Sequence, residues 1–149
     1  MHVTLLAVGS IKTSWIKEGC AQYLGRMQID VFEVPASKQK DPTKQSAEES
    51  DAIIKKLEKS EGHVWVLDER GKAMTSIQFS ETISACVDRG EKIFFIIGGA
   101  YGLTPAVMER ADKVIRLSDM TLPHEFCRVV FLEQLYRALQ IAKGSHYHH

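Results

Sequence analysis

Two short segments of this 149-residue chain have residue types and spacing suited to holding a ligand and acting on it. The first is Gly98-Gly99-Ala100-Tyr101-Gly102, which follows the apolar run Lys92 to Ile97. Glycines let a backbone approach a ligand with no Cβ in the way. Open α/β sheets hold their ligands at the carboxyl ends of strands, where this loop falls. The spacing is not the G-x-G-x-x-G dinucleotide fingerprint, and no Lys-Ser/Thr pair follows, so a phosphate loop is not indicated. A plain strand-to-helix turn would use the same residues. The second segment is Leu117-Ser118-Asp119-Met120-Thr121-Leu122-Pro123-His124, between the next strand and the last helix. It is expected on the same rim as the glycine loop. His124, at a helix start, sits where amide dipoles disfavour an imidazolium, so its neutral ring could accept a proton or read a base edge. A surface histidine is the plainer reading.

The last helix is expected from Pro123 to about Ala142 and is apolar nearly all round, through Phe126, Val129, Val130, Phe131, Leu132, Leu135, Tyr136 and Leu139. An apolar stripe would pack on a sheet alone, whereas this breadth predicts burial on two sides, with a partner subunit as the second. Arg128, Glu133 and Arg137 interrupt it. Glu133 and Arg137 are four apart, the spacing of an ordinary helix-surface ion pair. Arg128, one turn from the rim, is the better candidate for chemistry. The tail Gly144-Ser145-His146-Tyr147-His148-His149 has three histidines but no carboxylate support or fixed geometry for a metal; a purification scar is an alternative reading of it.

The elements that must position these residues alternate between strand and helix, which predicts an α/β domain with a mainly parallel sheet. Strands are expected at Val3 to Val8, Ile29 to Val34, His63 to Leu67, Lys92 to Ile97 and Lys113 to Leu117. A helix is expected over Ser14 to Met27. A second begins at Ser46-Ala47-Glu48-Glu49, a Ser-x-x-Glu capping box, and runs to about Lys59. Thr75-Ser76-Ile77-Gln78 opens a third, which Gly90 ends. Thr104-Pro105 reads as an N-cap followed by proline in the first turn. Ala36 to Lys44 is polar, basic and aperiodic, so it is expected as a surface loop. No repeat or boundary divides the chain, and residues 1–149 are expected to form a single domain.

Composition narrows the class of function. Hydrophobic residues at 44% and charged residues at 26% are ordinary for a globular protein, and no membrane span or cleaved leader is evident, so a cytoplasmic location is expected. Cys20, Cys86 and Cys127 are odd in number, widely spaced and within expected helices, which makes them small apolar residues. Nineteen basic residues balance nineteen acidic ones. A neutral chain gains little from counterion release, so tight binding to naked RNA is not expected.

Taken together, Ile97-Gly98-Gly99-x-x-Gly102-Leu103, Leu122-Pro123-His124 with Arg128-Val129, Glu133-Gln134-x-Tyr136-Arg137-Ala138 and Tyr147-His148 resemble the bacterial ribosomal RNA large subunit methyltransferase H family, within the knotted SPOUT methyltransferases. Leu5-x-Ala7-Val8-Gly9 and Val66-Leu67-Asp68 fit as well, so the likeness covers essentially the whole chain. The resemblance implies a SPOUT-type α/β fold with helices on both sheet faces and a C-terminal trefoil knot. It also implies a homodimer that methylates N3 of a pseudouridine in 23S rRNA of the assembled ribosome, using S-adenosylmethionine and no metal. An assembled ribosome offers shape for a neutral protein to read, which reconciles the charge with an RNA substrate. By position, the cofactor site implied is Leu67, Gly98, Gly99, Gly102, Leu117, Ser118, Asp119, Met120, Thr121, Leu122 and Pro123. Arg128, Tyr147 and His148 are implied to face substrate. Glu125 has no role assigned by the likeness, and His149 stands where a basic terminal residue is expected.

Charge sets the expected mechanism. A sulfonium is cationic and a deprotonated pseudouridine N3 is anionic, so the protein must chiefly align them away from water. Such orientation supplies roughly 7–11 kcal/mol. His124 and His148 are candidate proton acceptors, and Arg128 a candidate for stabilising the imide anion. A non-catalytic ribosome- or RNA-binding dimer of the same fold predicts no cofactor binding. A Rossmann oxidoreductase would need a phosphate fingerprint after the first strand, which Gly9-Ser10-Ile11-Lys12 does not supply.

Overall fold

Five parallel strands, β1 (His2–Val8), β2 (Asp30–Val34), β3 (His63–Ala73), β4 (Lys92–Ile97) and β5 (Lys113–Arg116), form one sheet in the order β2-β1-β4-β3-β5. The structure is a computed structural model and describes residues 1–149. Helices α1 (Ser14–Leu24), α2 (Pro42–Glu58), α3 (Ser76–Asp88), α4 (Pro105–Arg110) and α5 (His124–Ala142) connect and cover the strands.

Strand side chains alternate between faces, and each face has its own core. Val3, Leu5, Ala7, Trp65, Phe95 and Ile115 meet α1, α3 and α5 through Ile16, Phe79, Ile83, Phe131 and Leu135. Leu6, Val8, Val64, Val66 and Ile96 meet α2 and α4 through Ile53, Leu57 and Val107. Helices thus lie on both faces. No helix is long and apolar enough to cross a membrane.

Register aligns the ligand-facing rim. Leu67 pairs with Ile97 on one side and Ile115 on the other, so β4, β3 and β5 end level. The glycine loop and the 117–123 segment therefore share an edge of the sheet, with β3 between their strands. β3 runs past the expected end at Leu67. Its register with β5 jumps from Leu67↔Ile115 to Lys72↔Ile115, so residues 68–71 arch over β5 before the strand resumes. Gly71 crosses so close that a Cβ would lie 2.6 Å from the backbone C and N of Ile115.

The helix starts follow their caps, with one correction. Thr75 and Gln78 form the expected capping box. α2 begins four residues before Ser46: Asp41 is the N-cap, accepting from Lys44 N–H at 2.9 Å, and Pro42 opens the first turn. Ser46 instead donates to the Gly102 carbonyl at 3.1 Å, so its hydroxyl is spent on the glycine loop. α1 stops at Leu24 rather than Met27. Pro123 occupies the N-cap of α5, and His124 is the first helical residue.

Candidate active site

The glycine loop closes on itself. Gly102 N–H donates to Gly99 O at 3.2 Å, and Gly102 has φ +75°, a conformation that glycine adopts without strain. A side chain at Gly98 would press within 2.9 Å of Leu103 Cγ. The loop is held from below by one face of α2. Ser46 binds the Gly102 carbonyl, Ser50 Oγ accepts from Thr104 N–H at 3.0 Å, and Glu49 lies against Gly99.

A cavity of about 530 Å³ opens between this loop, the arch after Leu67 and the 117–124 segment. Its size falls in the usual range for a small-molecule site. Leu67, Gly98, Gly99, Gly102, Leu117, Ser118, Met120, Thr121, Leu122 and His124 line it. Asp119 and Pro123, expected with them, turn away from it; Asp119 is exposed and pairs with Arg116 at 2.9 Å. Arg116 keeps a buried Nε–H with no protein acceptor on the cavity wall, a donor free for a ligand oxygen.

The arch adds charge to the wall that spacing did not indicate. Asp68, Glu69 and Arg70 line the cavity. Arg70 holds both Asp68 oxygens at 2.7 and 2.9 Å, and this hydrogen bonding keeps the Asp68 carboxyl below its ordinary range. Cys127 also lines the wall, and burial pushes its thiol up, leaving it neutral and unsuited to nucleophilic work.

A second cavity, of about 580 Å³, adjoins the first. Gly99, Ala100 and His124 line both, so they form the partition between them. Lys12, Glu33, Ser37, Gln45, Glu49 and Glu125 line the rest with Val8 and Gly9. Glu125 fixes the partition from the far side. Its carboxylate accepts from Lys12 N–H and from Thr13 Oγ1 at 2.9 Å, tying α5 to the start of α1. The Lys12 amide bond, foremost, holds the Glu125 carboxyl below its ordinary range.

Arg128, implied by the resemblance to face substrate, lines neither cavity in this chain. It is only 3% exposed. Its Nη2 donates to Val8 O at 2.6 Å and to Gly9 O, and its Nη1 meets Glu33 Oε1 at 2.7 Å. The guanidinium thus props the strand end that floors the second cavity.

The tail lies elsewhere. Tyr147 stacks edge-on against Tyr136 at 4.9 Å and under the Arg137 guanidinium at 4.9 Å, while Arg137 binds Glu133 at 2.6 Å. His124 and Arg137 are thirteen residues apart on one helix, about 20 Å at 1.5 Å per residue. Tyr147 therefore sits far along α5 from its own cavities, and His148 is exposed beside it. At the opposite end of the sheet, donor atoms of His63, Cys86 and Glu91 lie within 4.8 Å of one another, but Arg89 already binds both Glu91 oxygens at 2.7 and 2.8 Å.

The family model described as "Predicted SPOUT methyltransferase" matches residues 1–148. Two curated relatives are ribosomal RNA large subunit methyltransferase H of Solidesulfovibrio magneticus, 41% identical over 97% of both chains, and its namesake of Geobacter sp., 38% identical over 100% of this chain and 99% of that one. Among solved structures, TrmJ of Z. mobilis aligns with TM-score 0.55 at 13% identity, over 92% of this chain and 69% of that chain. AviRb of Streptomyces viridochromogenes, solved in complex with AdoMet, aligns with TM-score 0.50 at 11% identity, over 97% of this chain and 59% of that one. These structures agree with this chain in fold. Matched by the family model over residues 1–148 and by these relatives over nearly its whole length, the chain belongs to the SPOUT methyltransferases, in the ribosomal RNA large subunit methyltransferase H family.

Proposed function

We propose that this protein is an S-adenosylmethionine-dependent methyltransferase that modifies N3 of a pseudouridine in 23S rRNA of the assembled ribosome. The observation that carries the reading is the pair of adjoining cavities on the rim, parted by Gly99, Ala100 and His124. A two-substrate transfer needs two sites that meet at one wall. The first cavity suits the methyl donor: its glycine loop admits close backbone approach, and an unpaired Arg116 Nε–H is on offer. Leu67, the glycine loop, Leu117, Ser118 and residues 120–122 would hold the donor there. When bound, S-adenosylmethionine supplies an activated methyl group on a cationic sulfur.

The chain's own contribution is alignment and proton removal. His124 stands on the shared wall, exposed and free of hydrogen bonds within the chain, where its ring can take the N3 proton. A positioned base of this kind is worth on the order of 100- to 10,000-fold. The neutral overall charge suits docking on ribosomal shape rather than capture of naked RNA.

The active form is a homodimer, acting in the cytoplasm as a single domain with its C-terminal segment threaded as a knot. Exposed Trp15, edge-on to Phe126 at 5.9 Å, and the half-buried outer residues Val130 and Tyr136 of α5 support a covered face. The distance of Tyr147 and His148 from their own cavities supports their service to the partner's site.

The test is genetic and chemical. Large-subunit rRNA from a strain lacking this gene should lack N3-methylpseudouridine by mass spectrometry, and the gene should restore it. An unchanged nucleoside profile would remove the substrate assignment.

A further inference from the structure

Glu49 is a buried carboxylate beneath the glycine loop. It is only 2% exposed, yet it lies on α2 in line with Ile53 and Leu57, where a core residue belongs. Ser37 N–H donates to its Oε1 at 3.0 Å, and Gln45 Nε2 reaches the same oxygen at 3.5 Å. Its Oε2 has no partner. A buried carboxylate oxygen left unbonded is costly in a core and calls for a donor.

The free oxygen faces the wall between the cavities. A Cβ on Gly99 would stand 2.5 Å from Oε2, and Glu49 itself lines the second cavity. With Oε1 held by Ser37 and Gln45, Oε2 is directed at Gly99, which lines that cavity.

We infer that the second cavity holds the acceptor base and that Glu49 accepts a hydrogen bond from its non-reacting ring N–H. This rests on the function proposed above. With the Ser37 N–H and the Gln45 amide both donating to Oε1, the unpartnered Oε2 stands as an acceptor and selects a base edge that donates. The reacting N3 must present its in-plane lone pair to the methyl group, which keeps that line clear of a protein oxygen. In a uridine no other ring N–H remains, because N1 carries the sugar. In a pseudouridine the sugar is on carbon and N1–H is free. Glu49 therefore serves as a specificity-determining residue that distinguishes pseudouridine from uridine. A site built to bond a donor rejects an analogue lacking it, because its own polar group is then left unpaired.

Glu49→Gln is an informative change. The Ser37 amide and the Gln45 side chain hold an acceptor on the Oε1 side, so the new NH2 group takes the place of Oε2. It would then point a donor at a donor.

The experiment measures kcat/KM for methyl transfer to ribosomes carrying pseudouridine or uridine at the modified position, with wild-type protein and with E49Q. Cofactor affinity and melting temperature are followed alongside. Wild-type protein should prefer pseudouridine by roughly 10- to 100-fold, the range of one charge-assisted bond. E49Q should lose most of that preference, chiefly through slower use of pseudouridine, with cofactor affinity unchanged. Equal use of both ribosomes by wild-type protein would overturn the inference even if E49Q did not fold. So would an E49Q protein that slows both substrates equally. Failure of wild-type protein to methylate either ribosome would instead reject the proposed function itself.

Discussion

Arg128 joins Glu33 at 2.7 Å and, through its other nitrogen, the carbonyls of Val8 and Gly9, so one buried guanidinium ties the start of α5 to the ends of β1 and β2. Val8, Gly9 and Glu33 all line the second cavity, so its floor depends on this junction. The ion pair is lopsided: Arg128 is buried, whereas the Glu33 side chain is 42% exposed.

Replacing Arg128 with Met should therefore act on stability first. The change strands one buried and one half-buried carbonyl, and charge-assisted bonds of this kind are worth about 1.5–3 kcal/mol each in favourable cases. A loss of roughly 2–4 kcal/mol in urea unfolding is expected. Glu33→Gln should cost less, because the carbonyls still hold the guanidinium. If Arg128→Met left stability intact and lowered only the transfer rate, a direct substrate role would be restored.

The arch over β5 makes a second prediction. At Gly71 a Cβ would meet backbone atoms of Ile115 and Val114 at 2.6–2.7 Å, and backbone cannot give way as a side-chain tip can. Gly71→Ala should destabilise the fold by about 1–3 kcal/mol, the usual range for overpacking. Gly90→Ala has open space around it and carries only the penalty of a positive φ. Comparing their melting curves separates close approach from conformation.

Those two sites also mark how far the sequence could be read. Alternation and glycine spacing placed every strand and the rim, whereas the residues expected around the cofactor came from the family resemblance. They could not foresee that β3 resumes beyond Gly71, because Asp68-Glu69-Arg70-Gly71 carries ordinary turn residues. The start of α2 was misplaced because Ser46-x-x-Glu49 matches a capping box, while Asp41-Pro42 carried the true signal. Arg128 stood out as a charge on an apolar helix and its substrate-facing role came from the resemblance; its partners Val8, Gly9 and Glu33, at the ends of β1 and β2, are remote in sequence and could not be foreseen. Glu49 was missed, although a charge in line with Ile53 and Leu57 was a legible sign. The second cavity draws on segments spread from Val8 to Glu125 and had no local signature.

Tyr147 offers a test by pH. Burial, then its closeness to Tyr23, raises its phenol to about 12 from an ordinary 10.0. A raised value in the docked state means that the docked tail is favoured in full below about pH 10. That contribution is lost as pH rises through about 12. Ultraviolet difference titration of wild-type protein against Tyr147→Phe should show a phenol step near 12 that the variant lacks. A Tyr147 step near its ordinary 10.0 would mean that the tail is not seated on Tyr136 and Arg137.

Sharing of the tail between subunits is tested by mixing defects. One chain carries Gly99→Val, which blocks the wall of both cavities, and the other ends before Tyr147. Each homodimer should be inactive, and the mixed dimer should regain up to half of wild-type activity. Inactivity of the mixed dimer, with both chains folded and dimeric, would count against service in trans.

The central claim is a methyl transfer to one base of an assembled ribosome. The most direct test supplies labelled S-adenosylmethionine with intact ribosomes, separated subunits and naked 23S rRNA, then maps the label. The account predicts label at N3 of a single pseudouridine in intact ribosomes and little on naked RNA. Cofactor binding without label on any of the three, or equal label on naked RNA, would contradict it.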